Sequence, residues 1–263
     1  MDINSLIIGS TSQLNFYFPE EYDRISSRNI DYELINGKGY DTIYLLFAEQ
    51  RTFLSNDEKF FTDVNVDYTI NVIDKIKTQC RRIIVFSTSE LWNDYEGEVS
   101  VDMPYKYNYT PYIKSKEILC NKINDSKDVY EKVFIIYPFN FNSPHRKEGF
   151  LFSKIFKSIM SKEVTNVGDL NFARDIVHPS HIVNNSITTD KDMLIGGGEL
   201  INIEKFIRDL YSLSNLNYDD YIHSLSENNL TNKRKNYYSK IKYSDYDSLL
   251  KLTHNDIRKN TPS

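Results

Sequence analysis

Two stretches of the chain bring together residue types suited to acid–base chemistry on a small molecule. The first, Ser87-Thr88-Ser89-Glu90-Leu91-Trp92, sets three hydroxyls and a carboxylate close together; the second, Thr110-Pro111-Tyr112-Ile113-Lys114-Ser115-Lys116, sets a phenol four residues before an ammonium. Pro111 is favoured near a helix start, and one helical turn then stacks Tyr112 and Lys116 on a single face. A cation beside the phenol favours its ionised form, which suits Tyr112 to act as a general acid or base near neutral pH. Spacing alone does not single out this pair. The chain has 20 tyrosines and a second Tyr-x-x-x-Lys at Tyr238 and Lys242, which lies in a polar, basic tail and reads as a solvated helix face.

What distinguishes Tyr112 and Lys116 is the element before them. Ile83-Ile84-Val85-Phe86 is a short, continuous, β-branched run that reads as a buried strand, so Thr88 and Glu90 stand at a strand's carboxyl end, the edge of an open α/β sheet where ligands bind. Residues 6–8 form another apolar strand, running into Gly9-Ser10-Thr11-Ser12-Gln13-Leu14-Asn15. A strand turning through glycine and small hydroxyl residues into a helix start points backbone amides at one spot, which suits a phosphate. Only the first glycine of the dinucleotide fingerprint is present, with Ser12 and Asn15 at the other two places, and an ordinary strand-to-helix turn competes with the phosphate reading. Pro19 limits the helix that follows to about two turns.

Residues 22–28 read as a further strand ending in Ser27 and Arg28. An arginine at that strand end suits the 2′-phosphate of NADP, although an exposed surface arginine explains it equally well. Residues 41–47 give another strand. Residues 58–78 have the apolar spacing of a helix that turns Val64, Tyr68, Val72, Ile73 and Ile76 toward the core, with Asn65 inside it, and residues 132–137 give one more strand. Strands alternating with helices predict an α/β fold, a doubly wound and mainly parallel sheet.

Bulk properties narrow the classes. A length of 263 residues with 40% hydrophobic content supports a substantial core, and a net charge of -5 argues against a nucleic-acid partner. The absence of a bilayer-length apolar run, and of a basic-then-apolar N-terminus, predicts a cytoplasmic protein without a membrane partner. Cys80 and Cys120 lack metal-ligand spacing, His178 and His181 lack a companion acidic or cysteine cluster, and no Gly-x-Ser-x-Gly elbow occurs, so neither a metal site nor a serine hydrolase is expected.

In order along the chain, several stretches carry a family resemblance. They are the Gly9 turn, Asn65-Val66 with Thr69 and Asn71, Ser87 to Leu91, Pro111 to Lys116, Phe139-Asn140-Phe141-Asn142-Ser143-Pro144-His145-Arg146, Arg174-Asp175 with His178, and Gly196 to Leu210. The chain resembles the extended short-chain dehydrogenase/reductase family, the NAD(P)-dependent nucleotide-sugar epimerases and dehydratases. Within it, Ser-Thr-Ser-Glu-Leu and Asn-x-x-Ser-Pro look most like the GDP-mannose 4,6-dehydratase branch. The likeness covers most of the chain to about residue 225, and the segment before residue 41 is shorter than in those dehydratases.

That resemblance implies a Rossmann-like domain over residues 1–145, a small C-terminal substrate lobe over 146–225, and a polar tail over 226–263, either separate from the lobe or part of it. It implies NADP or NAD as cofactor, with Arg28 tilting the choice to NADP and Gly9, Ser10, Thr11, Ser12, Gln13, Leu14, Arg28 and Lys116 as its contacts. Tyr112 would take the proton of the sugar C4 hydroxyl, with Lys116 holding the ribose and Thr88 bonding the same hydroxyl; Glu90 would remove the C5 proton so that the C6 hydroxyl leaves. Ser89, Asn140, Arg146 and Arg174 match substrate-side positions, the arginines suiting two phosphates; Lys154 matches one too but reads as a surface charge. A nucleotide sugar as partner and a homodimer or homotetramer follow from the same resemblance. Two alternatives stand beside the dehydratase: a 4-keto reductase or epimerase using the same residues, and a catalytically silent member that binds a partner, to which the missing glycines point. Trp92, where the family usually has tyrosine, is expected to change packing. The segment from Phe150 through Phe152, Ile155, Phe156 and Ile159 is expected as an amphipathic helix, Gly196-Gly197-Gly198 as a turn with little strand before it, and the residues beyond 225, with Lys233-Arg234-Lys235, as a solvated tail.

Overall fold

The computed structural model describes residues 4–52, 54–146, 148–224 and 235–261. These fall into two compact units, one of Met1–Trp92, Val101–Pro138 and Val183–Leu194, the other of Asn93–Ser100, Phe139–Ile182 and Ile195–Ser263.

In the first unit β1 (Ser5–Ile8) leads through a 3-10 turn, Gln13–Tyr17, to β2 (Asp23–Ile25). Helix α1 (Tyr32–Lys38), capped by Asp31, precedes β3 (Tyr40–Leu45). The next helical stretch joins α2 (Glu58–Thr62), a π turn over Asp63–Tyr68 and α3 (Thr69–Ile76) before β4 (Cys80–Phe86). Strand β5 (Gly97–Val99) belongs to the second unit, and α4 (Pro111–Asp125) and β6 (Val133–Pro138) return to the first. The sheet order is β2-β1-β3-β4-β6, extended by β9 (Met193–Ile195), and the pairs from β2 to β6 are parallel, as the alternation of strands and helices predicts. The run of fully buried Ile and Leu along β1, β3, β4 and β6 reflects a sheet covered on both faces.

Two local readings are corrected, and one helix was not anticipated. The helix expected after Gly9 is a five-residue 3-10 turn, because Asn15 and Pro19 leave no room for an α-helix. Helix α1 was not legible in residues 32–38. Within 58–76 the π turn inserts an extra residue into the helical register, so Asn65 and Val66 are buried while Val64 and Tyr68 are only partly so.

The second unit holds α5 (Leu151–Ser161), β7 (Thr165–Val167), β8 (Ala173–Arg174) and the start of α6 (Pro179–Thr188). After β9 come β10 (Ile201–Asn202), α7 (Ile203–Leu213), α8 (Tyr218–Tyr221), β11 (Ile222–Ser224), β12 (Tyr237–Ser239) and α9 (Tyr246–Asn260). Its core gathers Phe152, Ile155 and Phe156 of α5, Phe206, Ile207 and Leu210 of α7, and Leu249 and Ile257 of α9. The expected solvated tail therefore contributes core residues. Tyr238 sits in β12, paired with β5, and Lys242 bridges to Gly196, so that Tyr-x-x-x-Lys spacing lies on extended chain and not on a helix. Lys233 and Arg234 lie outside the described residues. The glycine run at 196–198 does follow a strand, β9, contrary to expectation.

Candidate active site

β4 delivers Ser87 and Thr88 at its carboxyl end, and a 3-10 turn, Ser89–Trp92, folds the next residues back. Thr88, Ser89 and Glu90 are all buried, and the Glu90 amide donates to Thr88 Oγ1 at 3.2 Å, which fixes the spacing between hydroxyl and carboxylate-bearing residue. Trp92 anchors the turn. It is fully buried, its Nε1 donates to the Met103 carbonyl at 3.0 Å, and its ring meets Tyr105 and Tyr137 edge-on at 5.1 Å each.

Helix α4 supplies the other half. The Thr110 side chain caps it by accepting from the Ile113 amide at 3.2 Å, and Pro111 occupies its first turn, which places Tyr112 at the start and Lys116 one turn on. Tyr112 is half-buried and meets Phe61 at 6.2 Å between ring centroids. Lys116 is buried, with its Nζ donating to the Phe86 carbonyl at the end of β4 at 3.0 Å. Burial pushes its pKa down to about 8, with the Cys120 thiol acting weakly the other way. Cys120, one turn further, donates to Ser87 Oγ at 3.2 Å, so α4 grips the strand end at two successive turns.

Among the described residues Phe86 is the one acceptor on Lys116, leaving two N–H groups of a buried ammonium unspent. That donor set fits the hydroxyls of a nicotinamide ribose.

One positioning residue stands out that its sequence context did not assign. Asn65, buried within the π turn, accepts from the Glu49 amide at 2.7 Å and donates to the Glu49 carbonyl and to Ser115 Oγ, each at 2.9 Å. It ties the loop after β3 to α4 beside Lys116. An amide side chain inside an otherwise apolar helical run was the available signal.

At the other strand end, Gly9 has φ +116°, and a Cβ there would lie 2.9 Å from the Leu46 backbone, so only glycine fits where β1 passes the end of β3. The amides of Gly9 and Ser10 donate to the Ile25 carbonyl, that of Ser12 to Gly9, and that of Asn15 to Ser12. Thr11 is exposed, Ser10 and Ser12 are partly exposed, and Gln13 and Leu14 are buried. Arg28 is exposed, with its amide on Ser26 Oγ at 3.2 Å.

Asn140, Arg146 and Arg174 belong to the second unit. Asn140 Nδ2 donates to the Asp175 carbonyl at 3.4 Å. The guanidinium of Arg146 lies 3.9 Å over the Phe150 ring and that of Arg174 4.9 Å over Phe172, and Arg174 is buried with one N–H on the Ala173 carbonyl at 2.6 Å. Lys154 is exposed, with Nζ 3.5 Å from the Asn166 carbonyl. Beside Arg174, the buried Asp175 carboxylate accepts from the amides of Gly197, Gly198 and Ser239. His178 lies between Ser180 Oγ at 2.7 Å and Asp256 Oδ2 at 3.0 Å. No group of three metal-ligating side chains occurs among the described residues, and none of their helices is long and apolar enough to cross a membrane.

Residues 24–188 match the NAD dependent epimerase/dehydratase family. No curated protein matches the sequence. Solved structures similar to this one include a UDP-N-acetylglucosamine 4-epimerase from Methanobrevibacter ruminantium M1, in complex with UDP-N-acetylmuramic acid, at 16% identity over 98% of this chain and 97% of that one, TM-score 0.76. A dTDP-glucose 4,6-dehydratase from Bacillus anthracis str. Ames, in complex with NAD, matches at 16% identity over 98% and 97%, TM-score 0.75. RMD from Pseudomonas aeruginosa, complexed with NADPH, matches at 13% identity over 99% and 100%, TM-score 0.73. At these identities the likeness is one of fold.

Proposed function

The chain belongs to the NAD-dependent epimerase/dehydratase family, and from that premise we propose that it carries out a 4,6-dehydratase-type reaction on a nucleotide-linked hexose, GDP-linked by the likeness of Ser87 to Leu91. The observation that carries this reading is the buried pair Thr88 and Glu90 at the end of β4, with Lys116 bonded to the same strand end. A carboxylate there is what separates dehydration from simple oxidation or reduction.

Lys116, with its unspent N–H groups, would hold the cofactor at its nicotinamide ribose, and when bound that group supplies hydride acceptance at C4 and hydride return at C6. Tyr112 takes the proton of the C4 hydroxyl, and Thr88 accepts or donates a hydrogen bond to the same oxygen. Glu90 removes the C5 proton, made acidic by the neighbouring ketone, and passes it to the C6 hydroxyl, which leaves as water; once hydride has returned to C6, C5 takes up a solvent proton by way of Glu90. Ser89 stands next to that carboxylate as a neutral donor. Arg146 and Arg174 suit the two phosphates of the substrate, the ring beneath each guanidinium fixing its plane.

The non-catalytic alternative draws on one observation, the use of the Gly9, Ser10, Ser12 and Asn15 amides on the chain's own carbonyls. Purified protein offered GDP-, UDP- and dTDP-hexoses with NAD or NADP tests the reading. A 4-keto product that has lost water is expected, and Glu90→Gln should stop water loss; dehydration retained in that variant removes Glu90 from the mechanism, and no product with any sugar favours the silent relative.

A further inference from the structure

In doubly wound dinucleotide sites the crevice opens where strand order reverses, and the adenosine ribose is met at the end of the second strand, about 20 residues past the glycine turn. Here the order reverses between β1 and β3, and Ser27 and Arg28 stand at that distance from Gly9. Two features close this end of the crevice, beside the three-residue β2. The Tyr68 hydroxyl, carried to this place by the π turn, donates to the Ser27 carbonyl, and its ring packs on Phe47 with centroids 5.4 Å apart. The turn itself is tied down by Asn15, which occupies the third glycine's place. Its Nδ2 donates to the Ser10 carbonyl at 3.1 Å, and its Oδ1 accepts from Arg24 Nε at 2.9 Å. Arg24 spends its remaining N–H groups on the carbonyls of Phe18, Pro19, Glu20 and Tyr22.

At the opposite end of the same sheet edge, Lys116 keeps donors unspent. We propose that Tyr68 seals the adenosine end of the crevice, so that this chain takes a nicotinamide nucleotide by its nicotinamide half and discriminates little among NADH, NADPH and the reduced mononucleotide. This rests on the reading of Lys116 as the ribose-holding group. It removes the basis for an NADP preference through Arg28, whose side chain is exposed beside the sealed position.

Fluorescence titration of the unaltered protein with NADH, NADPH and reduced nicotinamide mononucleotide tests it without any variant. The three dissociation constants should agree within about tenfold. Tyr68→Ala, which opens the end, should tighten both dinucleotides by about tenfold and leave the mononucleotide unchanged, and Tyr68→Phe, which keeps the ring and drops the Ser27 bond, should give a smaller shift of the same sign. Dinucleotides bound more than about a hundredfold tighter than the mononucleotide by the unaltered protein overturn the inference and leave the catalytic reading standing. Dinucleotide affinity unchanged in Tyr68→Ala also overturns it. Failure of all three nucleotides to bind overturns both.

Discussion

Lys116 in the first unit and Asp175 in the second are both buried charges that burial has moved toward neutrality, to about 8 and about 6 respectively. Their surroundings are built in opposite ways. Asp175 is saturated: amides of Ser239 at 2.9 Å, Gly198 at 3.1 Å and Gly197 converge on it, and a Cβ on Gly196 would run into its carboxylate. Among the described residues Lys116 has one protein acceptor, the Phe86 carbonyl. A buried charge whose partners are all supplied by the protein is a structural staple, whereas one with unspent donors is held ready for something else. Burial and a shifted pKa describe both; only the partner count tells them apart.

The largest effect expected from that contrast is on turnover. Lys116→Met should lower it on the order of a thousandfold, read as 4-keto sugar formed per minute, because on the proposed mechanism Tyr112 loses the cation one helical turn away. Next comes stability at the staple. Asp175→Asn sets an amide donor against backbone N–H groups and should cost about 2–3 kcal/mol in denaturant unfolding, as should Gly196→Ala through overpacking. Lys116→Met should move stability the other way, raising it on the order of 2 kcal/mol, since it removes a buried ammonium with incomplete compensation. A loss of stability in Lys116→Met as large as in Asp175→Asn would break the comparison.

The pH dependence sharpens it further. The folded pKa of Lys116 lies below its ordinary value of 10.5, so between about 8 and 10.5 the unfolded chain binds the extra proton and stability rises with pH, while turnover falls above about 8 as the ammonium is lost. For Asp175 the folded pKa lies above the ordinary 3.8, so between 3.8 and about 6 the folded state binds the extra proton and stability falls as pH rises. Unfolding curves across both windows, repeated in the two variants, should lose each slope separately. This is the smallest of the effects, because other titrating groups contribute in the same ranges.

Much of the first unit was legible because its signals are local. Ile83 to Phe86 is apolar enough to be a strand wherever it lies, and Thr110-Pro111 carries a helix start in its own chemistry. What escaped depends on partners distant in sequence. Tyr68 looked like a core residue by helical spacing, and a π turn rotated it out to Ser27. Residues 246–260 look polar in composition, yet Leu249 and Ile257 complete a core whose other members lie in α5 and α7. The triple glycine read as a turn, and nothing in its neighbours announced that Asp175 needed those amides.

The central claim, that Glu90 at the end of β4 serves dehydration of a nucleotide hexose, is tested most directly by running the sugar panel in D2O and weighing the product. The account predicts a 4-keto-6-deoxy sugar that has lost one water and gained one deuterium at C5, formed by the unaltered protein and not by Glu90→Gln. A product that retains all its oxygen, or deuterium uptake undiminished in Glu90→Gln, would contradict it.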